Sequence, residues 1–356
     1  MAQGKQQGDA VIRVGVIGLG KGLAHARELA ADPRVDLVAL CDIDRDRVGA
    51  AAAELGGAQA YVHPEALFDS RSVDAVTIAT PNDTHLPLVL RALEAQLHVL
   101  CEKPLALDAK QTRQMAAAAA AAQRTLMVNY SYRYVPVSQA LAEQVRSGAL
   151  GEVYYGRSVW HRRWGVPPGW FSDKARAGGG PLIDLGVHRL DLALWLMGFP
   201  RAVTVSAAAY DHLARAGVTS GRLSAYSVED LATAFVRFDS GATLMLEASW
   251  ALHQPARELM ETWLYGTRGG LLQRNVGEGY TFAGQLFSPG ASDSFLSTDV
   301  LPGSNHHASA QREFAAVVAG DIPPTQRLEE SIAVMEIIDA IYRSAAAGAE
   351  VRVADA

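Results

Sequence analysis

The first 130 residues repeat one unit: a short run that is apolar throughout, a break, then a helical stretch. The apolar runs fall at residues 11–17, 35–41, 60–62, 73–79, 97–101 and 125–129, with helical patterns at about 21–31, 44–55, 84–95 and 108–123. A strand that is apolar on both of its faces must be covered on both sides, and a parallel sheet between two helical layers provides that cover. The reading is an α/β fold with an N-terminal doubly wound parallel sheet of the Rossmann type. Asp108 stands where a capping side chain is expected for the last of these helices.

Beyond residue 130 the texture changes. A helix at 136–147 leads into longer strands at 152–160, 202–210, 230–239, 242–250 and 259–265. Phe238-Asp239-Ser240-Gly241 reads as the turn of a hairpin. One helix, 181–197, interrupts the series and is closed by Gly198. Helices are expected again at 307–318 and 328–345. This half reads as an α+β domain with a large, mostly antiparallel sheet. The expected organisation is a disordered arm at 1–10, a dinucleotide-binding domain at 11–130, and a substrate-binding and oligomerisation domain at 131–356. The C-terminal helix is expected to pack back on the first domain.

Composition removes several classes of function. The 356 residues are 49% hydrophobic and 20% charged, enough to bury two cores. The formal charge of -6 comes with no basic stripe, which argues against nucleic acid as a partner. No run of 18 apolar residues suggests a membrane span. The polar first ten residues carry no apolar signal core. Only Cys41 and Cys101 occur, both in apolar runs, so reduced thiols and a cytoplasmic location are expected.

Gly18-x-Gly20 sits at the first strand-to-helix junction, followed by Lys21, Gly22 and Leu23. Glycines there let backbone amides approach a pyrophosphate at a helix N-terminus. Asp42 lies 22 positions past Gly20, at the end of the second strand. A carboxylate there accepts from ribose hydroxyls and repels a 2′-phosphate, so NAD is expected over NADP. The sixth fingerprint position holds Leu23 where a small residue is usual. A turn one residue shorter is one explanation.

Three more motifs follow. Thr80-Pro81-Asn82 ends the fourth strand, with His85 behind it. Glu102-Lys103-Pro104 ends the fifth. Asp184-x-Gly186-x-His188-x-x-Asp191 lies on the helix of the second domain. With Gly18, Gly20 and Asp42, these motifs resemble the glucose–fructose oxidoreductase/inositol dehydrogenase family over nearly the whole chain. The resemblance implies catalytic roles for Lys103, Asp184 and His188, no metal at the site, a cis Lys103–Pro104 bond, and a homodimer or homotetramer built through the large sheet.

The residue types suit that chemistry independently. Ligands on an open parallel sheet bind at the carboxyl ends of the strands. Thr80, Pro81, Asn82, His85, Glu102 and Lys103 are therefore expected around the cofactor. Asp184 and His188 are four apart, so on a regular helix they share a face, with Asp191 beside them. Removing a proton from an alcohol calls for a group with a pKa near 7, and His188 is the best candidate. Lys103 would bond the same oxygen. Which of the two takes the proton first is left open.

Aromatics and donors crowd the connections: Tyr130 and Arg133 after the sixth strand, then Trp160, Arg162, Arg163, Trp164 and Trp170 before the helix. Flat rings cover apolar faces of a sugar while Arg and Tyr bond its hydroxyls. Arg162 and Arg163 also suit a carboxylate or phosphate, and tryptophans serve cores equally well. Together they point to a carbohydrate or polyol substrate. The expected activity is hydride transfer to NAD from a ring hydroxyl of a sugar, glycoside or cyclic polyol, with pyranose carbon 3 the preferred position. Two other readings stay open: an NAD-dependent glycosidase that oxidises the ring transiently, and a non-enzymatic nucleotide-binding regulator.

Overall fold

The computed structural model describes residues 11–216, 226–291, 294–301 and 309–353. The arm expected at 1–10, and His306 and His307 at the start of the expected 307–318 helix, lie outside the described residues.

Six strands, β1 (Ile12–Ile17), β2 (Val35–Cys41), β3 (Gln59–Tyr61), β4 (Ala75–Ile78), β5 (His98–Cys101) and β6 (Leu126–Val128), form a wholly parallel sheet in the order β3-β2-β1-β4-β5-β6. The order reverses between β1 and β4, which opens a crevice at their carboxyl ends. The helices begin where short polar side chains take up free amides. The Asp44 carboxylate accepts from the amides of Asp46 and Arg47, and that of Asp108 accepts from Gln111. A short helix at Pro64–Asp69 escapes the sequence reading, being too brief for a helical period to show.

Nine strands form the second sheet: β7 (Val153–Arg162), β8 (Ala202–Tyr210), β9 (Leu231–Phe238), β10 (Thr243–Ser249), β11 (Glu258–Gly266), β12 (Gly270–Val276), β13 (Thr281–Pro289), β14 (Phe295–Val300) and β15 (Val351–Arg352). Their order is β14-β13-β12-β11-β7-β10-β9-β8-β15. Among the described residues only β7 and β10 run parallel; every other pair is antiparallel. Strands β12 to β15 were not read from the sequence. β12 to β14 run out to one edge of the sheet and the two-residue β15 forms the other, and the mixed polar and apolar character of β12 and β13 reflects their partial burial.

The chain's last helices complete the first sheet. Helix Ala310–Ala319 buries Phe314 in the cluster around Val14, Leu29 and Leu100. Helix Leu328–Ala347 buries Val334, Ile338 and Ile341 with Val99 and Met115. Asp339 accepts from the Ala109 amide (2.9 Å), and Arg113 pairs with Glu336 (2.7 Å). Neither face of the parallel sheet is thus closed by residues 11–130 alone.

The helix expected at 181–197 is interrupted. Leu182–Gly186 is a single π-helical turn, and the α-helix proper is Val187–Leu196. Such turns insert an extra residue and occur often at functional sites. The spacing argument for a regular helix therefore fails at Asp184. A run of glycines leads into this turn. A Cβ on Gly180 would stand 2.2 Å from the Glu229 carbonyl oxygen, and one on Gly179 would stand 1.8 Å from the Tyr342 hydroxyl. The Glu229 carboxylate accepts from the amides of Gly180 (3.0 Å) and Leu182 (3.1 Å). It fixes the start of the turn.

Candidate active site

A cavity of about 1260 Å³ runs from the β1–β4 crevice to the face of the second sheet. A ligand pocket for one drug-sized molecule measures roughly 300–1,000 Å³, so this one has room for a dinucleotide and a second ligand.

At one end stands the glycine loop. Gly18 has φ +87, and a Cβ there would meet the Ala79 carbonyl oxygen at 2.6 Å. At Gly20 a Cβ would meet nothing within 4 Å, because that position faces the open cavity. Gly22 opens the helix Gly22–Ala30, and a Cβ on it would press on Ala79 (3.1 Å) and Val16 (3.2 Å). Gly22 thus does the packing of the third fingerprint glycine, one position early. Leu23 turns its side chain from the cavity onto the core around Val14 and Leu29. Lys21 lines the cavity. Asp42 is buried at the end of β2; it accepts from the amides of Leu19 (2.7 Å) and Asp44 (2.9 Å), and Arg47 reaches it at 3.2 Å. An open loop without side chains at a helix N-terminus, beside a fixed carboxylate, fits a dinucleotide.

Midway, Thr80, Pro81, Asn82, Glu102 and Lys103 line the cavity. Asn82 also donates to the Ala177 carbonyl (2.8 Å), joining the two halves of the chain. Burial raises the Glu102 pKa, but the His25 imidazole at 2.9 Å, the Lys103 charge and an Asn129 hydrogen bond overcome it and bring it to about 2. His85 is a correction. It is fully buried away from the cavity, with Nδ1 2.9 Å from the Pro104 carbonyl and Nε2 2.9 Å from the Thr80 carbonyl. It braces the two loops from behind.

The polar centre lies where Lys103 meets the π turn. Lys103 Nζ donates to Asp184 Oδ1 (3.0 Å) and to the Asp184 main-chain carbonyl (2.9 Å). The Lys103–Pro104 bond is cis. Trp250 Nε1 donates to Asp184 Oδ2 (3.0 Å), and Arg162 Nη1 approaches the same oxygen at 4.0 Å. Burial pushes the Asp184 carboxyl up, but the charges of Lys103 and Arg162 hold it below the ordinary range.

His188 is placed differently from the spacing argument. Among the described residues no hydrogen bond or ion pair joins it to Asp184 or Asp191. Its ring lies between Tyr132 (5.0 Å between centroids) and Trp160 (5.8 Å), and its buried Nδ1 has no protein partner. Burial first, then the surrounding charges of Lys103, Arg189, Lys21 and Arg162, push its pKa well below 6.5. The imidazole is neutral, not held charged by a carboxylate.

Of the substrate candidates, Trp160, Arg162 and Trp170 line the cavity with Asp184 and His188. Tyr130 and Arg133 do not. Both are buried, and Arg133 is bound to Asp191 (2.5 Å) and Glu330 (2.6 Å). Arg163 donates outward to the Pro255 carbonyl, and Trp164 is exposed against His253. Strand alternation explains that pair: Trp160 and Arg162 share a face of β7, and the chain leaves the strand after Arg162. Sequence reasoning missed Trp250, Glu258, Tyr280 and Phe282, and from the aromatic segment 130–134 it singled out Tyr130 where the cavity is lined by Tyr132. Glu258 left a signal: it alternates with the buried Met260, Thr262 and Leu264, a carboxylate on the inward face of a strand.

A doubly wound sheet with this loop and acid, joined to an antiparallel sheet that carries a Lys–Asp–His constellation, defines an NAD-dependent oxidoreductase. Residues 12–130 match the oxidoreductase family with an NAD-binding Rossmann fold, and residues 138–272 match the GFO/IDH/MocA C-terminal domain. D-glucoside 3-dehydrogenase of Escherichia coli (strain K12) is 31% identical over 350 residues, covering 96% of this chain and 97% of that protein. D-xylose 1-dehydrogenase (NADP(+)) 2 of Haloferax volcanii is 33% identical, covering 89% and 91%. The solved structure of GenD2 from gentamicin A biosynthesis in complex with NAD superposes with a TM-score of 0.80 at 29% identity, covering 99% of each chain. The chain belongs to the Gfo/Idh/MocA family.

Among the described residues no group of three or more His, Cys, Asp or Glu is arranged to hold a metal, and no helix is long and apolar enough to cross a membrane.

Proposed function

We propose that the protein oxidises a ring hydroxyl of a neutral pyranose, glycoside or cyclic polyol, with pyranose carbon 3 as the position. The observation that carries this is the Lys103–Asp184 pair beside a neutral His188, under an aromatic wall and in one cavity with the nucleotide loop. The name of the Escherichia coli relative supports carbon 3.

Held by the glycine loop and Asp42, a bound NAD would supply the hydride acceptor for the alcohol carbon. The chain handles the proton. His188 is uncharged and free to accept it. An ammonium has three donors; two of those on Lys103 are held by Asp184, so the third is left for the substrate oxygen, where it stabilises alkoxide character. Asp184 positions Lys103 from a carboxylate that is itself fixed by Trp250. Tyr132 and Trp160 give the ring apolar cover. We place the protein in the cytoplasm, in keeping with the buried free thiols of Cys41 and Cys101. We assign a homodimer or homotetramer to the outer face of the large sheet, where Tyr155, Tyr265, Trp263 and Phe287 stack in a row.

The test is NADH absorbance with purified protein, NAD and a panel of pyranoses, methyl glycosides and inositols. Accumulation with a ring polyol is expected. Silence across the whole panel would end the proposal. Release of an aglycone without NADH would replace it with the glycosidase reading.

Two predictions accompany it. Protonated His188 cannot accept a proton, and its pKa lies well below 6.5. The acid limb of kcat/KM should therefore fall below pH 6.5, with a flat profile through that value. A limb at or above 6.5 that His188→Asn removes would contradict this. Second, Asp42→Ala should weaken NAD binding by about tenfold to a hundredfold and narrow the preference over NADP, since the repelling carboxylate is gone and Arg47, then paired with Asp44 alone, has Nη1 free for a 2′-phosphate. Equilibrium titration with both nucleotides checks it; an unchanged ratio would take Asp42 away from the ribose.

A further inference from the structure

The substrate end of the cavity carries an alternating chain of charges. Lys103 meets Asp184 at 3.0 Å, Asp184 meets Arg162 at 4.0 Å, and Arg162 meets Glu258 at 2.9 Å. Within this chain two cations face two carboxylates; the Arg189 guanidinium lies outside it, against the Tyr132 and Trp160 rings. The last link is written into the sheet, because Glu258 on β11 stands directly opposite Arg162 on β7.

Glu258 does more than balance one charge. Its Oε1 also accepts from Trp160 Nε1 (2.7 Å) and from the Tyr280 hydroxyl (3.2 Å). Arg162 in turn donates to the Tyr280 oxygen (3.0 Å) and to the Gly165 carbonyl (3.3 Å), and its guanidinium lies 5.4 Å from the Trp160 ring. One carboxylate oxygen thus orders three side chains that line the cavity while lying behind them. An arginine facing a cavity invites an anion, since its planar fork matches a carboxylate. Here its Nε is taken by Glu258, and its charge is answered from both sides.

We propose that Glu258 is a specificity-determining residue: by masking Arg162 it makes the cavity select a neutral ring and reject the corresponding uronate. The inference rests on the proposed ring-polyol chemistry and names the charge class of that substrate. Without the Glu258 charge, the Lys103–Asp184–Arg162 chain would hold two cations against one carboxylate, and the counter-charge left to Arg162 would be Asp184 at 4.0 Å. A cation in a cavity whose charge is left largely unanswered favours the ligand that carries the complementary carboxylate.

The experiment is calorimetric titration of the NAD-loaded protein with methyl β-D-glucopyranoside and with its C6 carboxylate, methyl β-D-glucopyranosiduronate. Three forms are compared: wild type, Glu258→Gln, and Glu258→Gln with Arg162→Met. Gln keeps an acceptor oxygen for Trp160, Tyr280 and Arg162 Nε, so the wall keeps its shape and only the charge is removed. The wild type should prefer the neutral glucoside by at least about tenfold. E258Q should bind the uronate about ten- to a hundredfold more tightly than wild type does, with glucoside affinity within about threefold. The double variant should lose that gain. A wild type that already favours the uronate overturns the inference even if no variant folds. So does an E258Q uronate affinity equal to wild type, a gain that survives loss of Arg162, or no binding of either probe to any form. Turnover separates the two readings: if no form reduces NAD with a neutral ring, the oxidation proposal falls, while an Arg162-dependent gain in uronate binding still upholds the role of Glu258.

Discussion

Lys103→Met should lower kcat by about 10²- to 10⁴-fold and leave the Kd for NAD within about threefold. The substitution keeps the length of the side chain and removes the ammonium that Asp184 holds through two oxygens. The substrate oxygen then loses its donor at the moment negative charge develops, which is where a fixed donor contributes most. On the proposed assignment nucleotide binding draws mainly on the glycine loop and Asp42 at the other end of the cavity, so it should be spared. His188→Asn should cost a similar factor, and the double variant should be little worse than the poorer single one, since groups acting on one proton transfer are not additive. Steady-state rates with the substrate found by the panel, together with NAD titration, check this. A loss of NAD affinity as large as the loss in kcat would assign Lys103 to the nucleotide instead of the alcohol.

The parts of this site that could be read from the sequence are those fixed by local geometry. Gly18, Asp42 and Lys103 sit at strand ends, and a doubly wound sheet sends all strand ends to one crevice. The period of the apolar runs was enough to place them. Gly22 was harder: the fingerprint spacing pointed to position 23, and only the contact with Val16 and Ala79 shows the shorter turn. The pairing of Asp184 with His188 failed for a physical reason. It assumed 3.6 residues per turn through a segment that closes as a π turn, and the carboxylate went to Lys103 and Trp250 instead. The substrate wall was the least legible. Glu258 and Arg162 are 96 positions apart and meet only through the register of β7 and β11. An aromatic-rich segment gave no means of telling Tyr132, which packs on His188, from Tyr130, which is buried away from the cavity.

Arg133 is the position where that ambiguity has the largest consequence. Read as a substrate residue, Arg133→Met would raise KM and leave stability alone. The structure predicts the reverse: a loss of about 3–5 kcal/mol in unfolding free energy, with KM unchanged in the folded fraction. The guanidinium bonds both oxygens of Asp191 and one of Glu330, and all three side chains are buried. They join the segment after β6, the helix Val187–Leu196 and the helix Leu328–Ala347. Methionine fills much of the volume but leaves Asp191 without its cation, while Glu330 keeps Arg327 at 3.1 Å. Burial already pushes the Asp191 carboxyl above its ordinary range, against the pull of Arg133, and without Arg133 it rises further. A carboxyl whose folded pKa exceeds its unfolded value, about 3.9, takes up a proton on folding as pH falls, so the penalty is full at high pH and relieved by acid. Urea unfolding at pH 7.5 and pH 5.5 should therefore show a smaller deficit against wild type at the lower pH. Arg133→Lys, which keeps the charge and loses the two-pronged contact, should lie between wild type and Arg133→Met. A raised KM with an unchanged urea midpoint would return Arg133 to the substrate.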